Sequence, residues 1–271
     1  SHCRECSSRI KADLSTELFN LTGRVAIVTG STRGIGLGIA ETFCRAGAKC
    51  VVSSETEGDV KSSTKALSSA GYDVLGIGCD VTNADDQANL IAATIEHFGR
   101  IDILVCNAGI TGQAGPIEKI DTDDYSRVFD VNLHSMVSLT NSVYPFLKDQ
   151  KSGSIILMSS IAGLRGNAAI NAYALAKAGV AQLARNLAVQ WGPHGIRANA
   201  ISPGFIRTAI SEPLLSDESF MKRRLQMKPL RRAGEVDDVT GCALFLASDA
   251  SKFVTGHNLV VDGGTSITDG S

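Results

Sequence analysis

From Arg24 onward, apolar residues gather in short β-branched runs separated by amphipathic stretches. The runs Val25–Thr29, Cys50–Ser53, Val74–Cys79, Ile103–Cys106, Ser154–Met158, Arg197–Ile201 and Asn258–Val261 are near-continuous rather than alternating, which reads as strands buried on both faces. Segments 34–46, 58–70, 84–98, 122–148, 170–191 and 236–247 read as helices. Asn83 precedes the third, and Asp121 or Thr122 opens the fourth. Side-chain oxygens of these types accept from the orphan N–H groups of a first helical turn. Strands alternating with helices imply parallel pairing, because parallel neighbours need long crossovers. The expected fold is α/β: a single-domain, Rossmann-type, doubly wound parallel sheet with helices on both faces, occupying 21–271. Residues 1–20 show little periodicity and read as a flexible N-terminal extension.

Composition narrows this further. Glycine, at 27 of 271 residues, is in excess while proline, at 6, is scarce. Disordered low-complexity sequence raises both together, so these glycines belong at specific backbone positions. Lys+Arg 26 against Asp+Glu 28 leaves a net charge of −2, which gives no global basic field for nucleic acid. No long apolar run spans a membrane. Most of the seven cysteines lie in apolar stretches, as reduced thiols of a cytoplasmic protein would. Cys3 and Cys6, near His2, form a lone pair without the second pair a zinc site needs, so no metal is expected. The alanine-rich helix around Tyr173 permits close approach, either within the domain or to another subunit.

The first strand runs directly into Thr29-Gly30, then Gly34 and Gly36, and then a helix. Glycines here allow a tight turn and let backbone N–H groups approach a pyrophosphate at the helix N-terminus. Further along stand Asp80 in CDVTN, Asn107-Ala108-Gly109, Asn132, Ser160, Tyr173 with Lys177 four residues on, and Pro203-Gly204. Residues four apart share a helix face. A phenol titrates near ~10, and a neighbouring ammonium lowers that value towards what a general acid/base requires. By spacing alone such a pair usually marks a solvated helix face.

Taken in order, these motifs resemble the short-chain dehydrogenase/reductase family in its compact single-domain branch, from about Leu21 to Asp262. Cys106 departs from the family's usual asparagine, at a strand end where a small thiol fits. The resemblance implies an NAD(P)(H)-dependent oxidoreductase that transfers hydride reversibly between the nicotinamide and a carbonyl or secondary alcohol. It gives Tyr173 the acid/base role, with Ser160, thirteen residues earlier, polarising the substrate oxygen; Ser159 is the neighbouring alternative. Lys177 would hold the nicotinamide ribose and depress the phenol, and Asn132 would hold a water in a proton relay. Cofactor contacts are expected from Gly30, Thr32, Arg33, Gly34, Ile35, Gly36, Ser54, Glu55, Asp80, Val81, Asn107, Gly109, Tyr173, Lys177, Pro203, Gly204, Ile206 and Thr208. Arg33 resembles a base found in NADP-dependent members. Glu55 pulls towards NAD(H), because its carboxylate repels a 2′-phosphate. The resemblance also implies a homotetramer formed through the helices holding Asn132 and Tyr173.

The substrate is a small molecule, with Leu164, Asn167 and Phe205 expected to line its pocket. The long segment from Phe205 to Lys228 reads as a mobile lid. Lys222, Arg223, Arg224, Lys228, Arg231 and Arg232 place six bases in its closing stretch and the residues just beyond, either as a solvated helical face or as a patch for a phosphate-bearing acyl carrier or coenzyme A thioester. Arg165 could read a carboxylate or simply sit on an exposed loop. An alcohol, sugar or ketone dehydrogenase thus stands beside a 3-oxoacyl-thioester reductase. A non-catalytic nicotinamide-binding sensor is the remote alternative.

Overall fold

The computed structural model describes residues 17–209 and 211–268. His2, Cys3, Cys6 and most of the expected extension lie outside the described residues. Seven strands form one sheet: β1 (Val25–Thr29), β2 (Lys49–Ser54), β3 (Val74–Gly78), β4 (Ile103–Cys106), β5 (Gly153–Met158), β6 (Ile196–Pro203) and β7 (Asn258–Val261). Their order is β3-β2-β1-β4-β5-β6-β7 and every pairing is parallel. The chain winds outward one way from β1 to β3, then restarts at β4 and winds the other way. Loops after β1 and β4 therefore part, opening a crevice at the carboxyl edge of the sheet.

Helices α1 (Gly34–Arg45), α2 (Glu57–Ser69) and α9 (Val236–Ala247) cover one face; α3 (Ala84–Phe98), α5 (Ser135–Gln150) and α6 (Asn171–Trp191) cover the other. Consecutive strand residues go to opposite layers: Ile27 joins Leu139, Val180 and Trp191, whereas Ala26 and Val28 join Ile39, Phe43 and Leu246. This is why the strand sequences are continuously apolar. Asn83 caps α3, accepting from Asp85 N at 2.8 Å and Asp86 N at 3.2 Å. Of the two candidates at the next helix, Asp121 is the cap, accepting from Asp124 N at 2.9 Å.

The expected helix 122–148 is instead three pieces: α4 (Thr122–Phe129), a π-helical turn over Asp130–His134, and α5. The Asn132 carboxamide donates to Val128 O at 2.9 Å and to Ile110 O at 2.8 Å, and that competition widens the backbone. Other boundaries move by at most two residues. Between β6 and α9, the segment read as a lid folds into α7 (Glu212–Leu215) and α8 (Glu218–Gln226).

Candidate active site

The glycine turn is crowded. Gly30 has φ +61°, and a Cβ there would fall 2.8 Å from Ala108 Cα. A Cβ on Gly36 would fall 2.2 Å from the Gly30 carbonyl oxygen, so no larger residue fits where α1 begins. Asn107 sews this turn to the end of β4: its Nδ2 donates to Thr29 O at 3.0 Å and to Gly30 O at 2.9 Å. Thr29 Oγ1 returns the contact, accepting from Asn107 N at 3.1 Å and Ala108 N at 3.2 Å.

Unlike α3 and α4, α1 opens with no side-chain cap and no acidic residue in its first turn. Twelve residues of helix dipole thus face the crevice without an anion of the protein's own. An uncapped helix behind a turn that excludes side chains fits the pyrophosphate of a dinucleotide. Gly34, Ile35 and Gly36 form that first turn, and Arg33 before it is extended and exposed. The Thr32 carbonyl accepts from the Ser63 hydroxyl at 3.1 Å. Ser54 ends β2 half-buried and Glu55 follows it exposed. Asp80 is exposed and accepts from Thr82 N at 2.9 Å, while Val81 is buried beside it.

Across the crevice, Tyr173 and Lys177 rise from the first turns of α6, and Ser160 follows the end of β5. Burial raises the Tyr173 phenol, and the Ser160 side chain acts more weakly the other way, favouring its ionised form. The resemblance gives Lys177 the part of depressing this phenol. Its ammonium lies 5.6 Å from the Tyr173 ring centroid and donates instead to Met158 O at 2.7 Å. Burial pushes Lys177 itself down to about 8. Of the two serines, Ser159 is committed to structure, its hydroxyl donating to Lys177 O at 2.7 Å, whereas Ser160 faces the phenol. Asn132 is fully buried, and its Oδ1 accepts from Ile110 N at 3.2 Å. Its carboxamide is thus engaged on both sides, and Gly109 packs against it.

Pro203 ends β6 opposite Val261, and Gly204 packs on Asp262. Ile206 is buried, and the Thr208 methyl approaches Gly34, bringing this segment back to the glycine turn. Of the expected pocket residues, Leu164 is exposed and Phe205 is half-buried beneath the Arg224 guanidinium. Asn167 is a turn residue: its Oδ1 accepts from Ala169 N and Ile170 N, both at 3.0 Å. Two positioning residues escape sequence reasoning. Ser31 ties β1 to β2 by donating to Val28 O at 2.6 Å and accepting from Ser53 N at 2.9 Å. Buried Gln87 holds Val81 by donating to its carbonyl at 2.5 Å. The latter left a signal, a polar amide on the apolar stripe of α3. Among the described residues no His/Cys/Asp/Glu group is arranged to hold a metal ion, and no helix is long and apolar enough to cross a membrane.

Residues 30–266 match the family model described as Enoyl-(Acyl carrier protein) reductase. The chain is 38% identical over 245 residues to Short-chain dehydrogenase/reductase SDRA of Arabidopsis thaliana, covering 90% of this chain and 95% of that one. A gluconate 5-dehydrogenase from Burkholderia cenocepacia, solved with NADP and tartrate, aligns with a TM-score of 0.90 at 32% identity, over 94% of this chain and 99% of that one. A 7α-hydroxysteroid dehydrogenase, solved with NADH and 7-oxo glycochenodeoxycholic acid, aligns at 0.88 and 34% identity, over 92% and 96%.

Proposed function

This chain belongs to the short-chain dehydrogenase/reductase family, as an NAD(P)-dependent oxidoreductase, and from that premise we propose that Tyr173 is its general acid/base in reversible reduction of a carbonyl to a secondary alcohol. When bound, the nicotinamide supplies or accepts the hydride. Gly30, Gly34, Ile35 and Gly36 hold the pyrophosphate, Asp80 and Val81 the adenine side, and Pro203, Gly204, Ile206 and Thr208 close on the nicotinamide side. In the reduction direction Ser160 donates to the carbonyl oxygen and polarises it, and the Tyr173 hydroxyl delivers the proton. Lys177 binds the ribose hydroxyls, and its charge favours the phenolate left behind. The Asn132 carboxamide is spent on backbone, so on this reading it acts by holding the π turn.

What carries this reading is Tyr173 with buried Lys177 one turn along the same helix, the ammonium 5.6 Å from the phenol ring centroid, and Ser160 acting on that phenol in the sense that favours its ionised form. Tyr173→Phe removes only the proton donor, so turnover on a ketone panel should fall at least about a hundredfold while NADH binding by fluorescence stays unchanged. An active variant overturns the assignment.

NAD(H) is the preferred cofactor on this reading. Glu55 ends the β2 turn, Glu57 and Asp59 lie in the first turn of α2, and Arg33 is the opposing base. A 3-oxoacyl thioester is the alternative substrate, favoured by the exposed bases Lys222 and Arg223 and by the wording of the matched family model. Acetoacetyl thioester assayed beside simple ketones separates the two. The reading includes a cytoplasmic homotetramer, for which α5 and α6 expose Val137, Leu175 and Val189.

A further inference from the structure

The loop that leaves β4 is rich in glycine, with Gly109, Gly112 and Gly115 spaced three apart. Such a stretch has many backbone conformations to lose, so it keeps one shape only where other elements fix it. It is fastened in three places. At Ile110 both backbone groups are taken by the Asn132 carboxamide. At Gly112, with φ +68°, the chain passes so close to α4 that a Cβ would fall 2.3 Å from Val128 Cγ2, and Gln113 N then donates to Asp124 Oδ2 at 2.6 Å. At Gly115 both backbone groups are taken by the segment entering α6. Its N–H donates to Ala169 O and its carbonyl accepts from Asn171 Nδ2, each at 2.8 Å.

The last fastening adjoins the acid/base. Asn171 opens α6, and Tyr173 follows in the same turn. Tyr173, Ile110 of the loop, and Tyr125 and Phe129 of α4 all pack on buried Val128, Ala172 and Ala176. One end of the loop thus shares the cluster of Tyr173, and the other is tied to the turn that carries it. Asn132 and Asp124 also serve the π turn and Arg127, whereas among the described residues the Asn171 carboxamide makes only the bond to Gly115. It does not cap its helix, whose N-cap is Ile170. A helix opening favours an acid, and the first turn of α6 has none. The amide at 171 is therefore explained by the loop rather than by the helix.

We propose that Asn171 is a positioning residue. Its bond to Gly115 holds the loop as a fixed wall beside Tyr173, and that wall sets how bulky a carbonyl compound can bring its oxygen to the phenol. This rests on the hydride-transfer reading above and adds a determinant of specificity to it. β4 and β5 are neighbours in the sheet, so the loop at 110–115 and the loop carrying Ser160 leave the carboxyl edge side by side. A carbonyl compound seated at Ser160 and Tyr173 is then bounded by the first of them.

Two substitutions separate the latch from the fold. Asn171→Ala removes the donor. Asn171→Asp keeps the shape, removes the donor and adds a carboxylate that the helix N-terminus favours. Tm of Asn171→Asp should equal or exceed that of wild type, yet both variants should share one kinetic defect. The assay is NADH-dependent reduction of butanone, cyclohexanone and 1-tetralone by the full chain. On the best of these kcat/KM should fall roughly tenfold, mostly through KM, with NADH binding by fluorescence unchanged. The spread of kcat/KM across the three ketones should shrink by at least about threefold. A defect in Asn171→Ala that Asn171→Asp does not share overturns the proposal, as does an unchanged spread, or a Tm loss in Asn171→Asp equal to that in Asn171→Ala. If wild type reduces no carbonyl compound, the hydride-transfer reading has failed instead. Hydrogen exchange of residues 110–117 then decides the latch: roughly tenfold faster exchange in Asn171→Asp than in wild type supports it, and equal exchange overturns it.

Discussion

Lys177 shows how a single buried side chain couples the site to stability. Its ammonium is 3% exposed and held by the Met158 carbonyl, and burial brings its pKa from 10.5 to about 8. Between those values the folded chain binds fewer protons than the unfolded one, so this group makes stability rise with pH across that window. Below pH 8 the cost of burying the charge is fully present; above 10.5 it is relieved. The span corresponds to about 3 kcal/mol. Unfolding free energies measured from pH 8 to 10.5 should therefore move in favour of wild type over Lys177→Met by up to that amount. A difference that stays flat, or moves the other way, means the ammonium is not penalised by its surroundings. The sequence made the pair legible, since Tyr173 and Lys177 are one turn apart in a helical stretch. Burial was not legible, because it depends on Cys106 and Met158 arriving from β4 and β5. The choice between Ser159 and Ser160 was equally closed to spacing alone: the first is consumed by the Lys177 carbonyl, a contact made only when α6 docks.

Elements were legible where a local rule decides them. Asn83 caps α3 through bonds to residues two and three positions away, so its neighbours in sequence suffice to find it. Asn132 is the opposite case. It reads as a poor helix former inside a long helix, and only contact with Ile110, twenty-two residues distant, turns it into the fastener of a π turn. The two asparagines should respond differently to truncation. Asn83→Ala is expected to cost about 1 kcal/mol in urea unfolding and to leave kcat alone. Asn132→Ala strands buried partners at Val128 and Ile110, and should cost about 3 kcal/mol while lowering kcat. Equal losses, or an unchanged kcat in Asn132→Ala, would separate the π turn from the chemistry. The stretch holding α8 shows the same limit. Its six bases were visible as a charge run, but which of them face inward depends on Met221 anchoring the helix.

At the scale of the molecule, parallel pairing was implied by the alternation of strands and helices, while the strand order and the crevice depend on where winding reverses, between β1 and β4. Asn107 and Thr29 close that reversal with reciprocal hydrogen bonds, so a dinucleotide seated there would brace both halves of the sheet at once. A ligand that binds only the folded chain stabilises all of it: at a hundred times Kd the gain is about 2.7 kcal/mol, or roughly 5–10 °C in Tm for a domain of this size. The same linkage can read the cofactor choice without any substrate. The exposed carboxylate of Glu55 stands where β2 ends, with Glu57 and Asp59 in the helical turn that follows, and a 2′-phosphate brought to that edge adds negative charge to three acids against Arg33. NADH should therefore raise Tm more than NADPH at equal concentration, and Glu55→Gln should narrow the gap by improving NADPH. If NADPH stabilises wild type as much as NADH does, Arg33 outweighs the carboxylates and the preference runs the other way. If Glu55→Gln leaves the gap unchanged, the discrimination comes from Ser54 and the α2 turn rather than from Glu55.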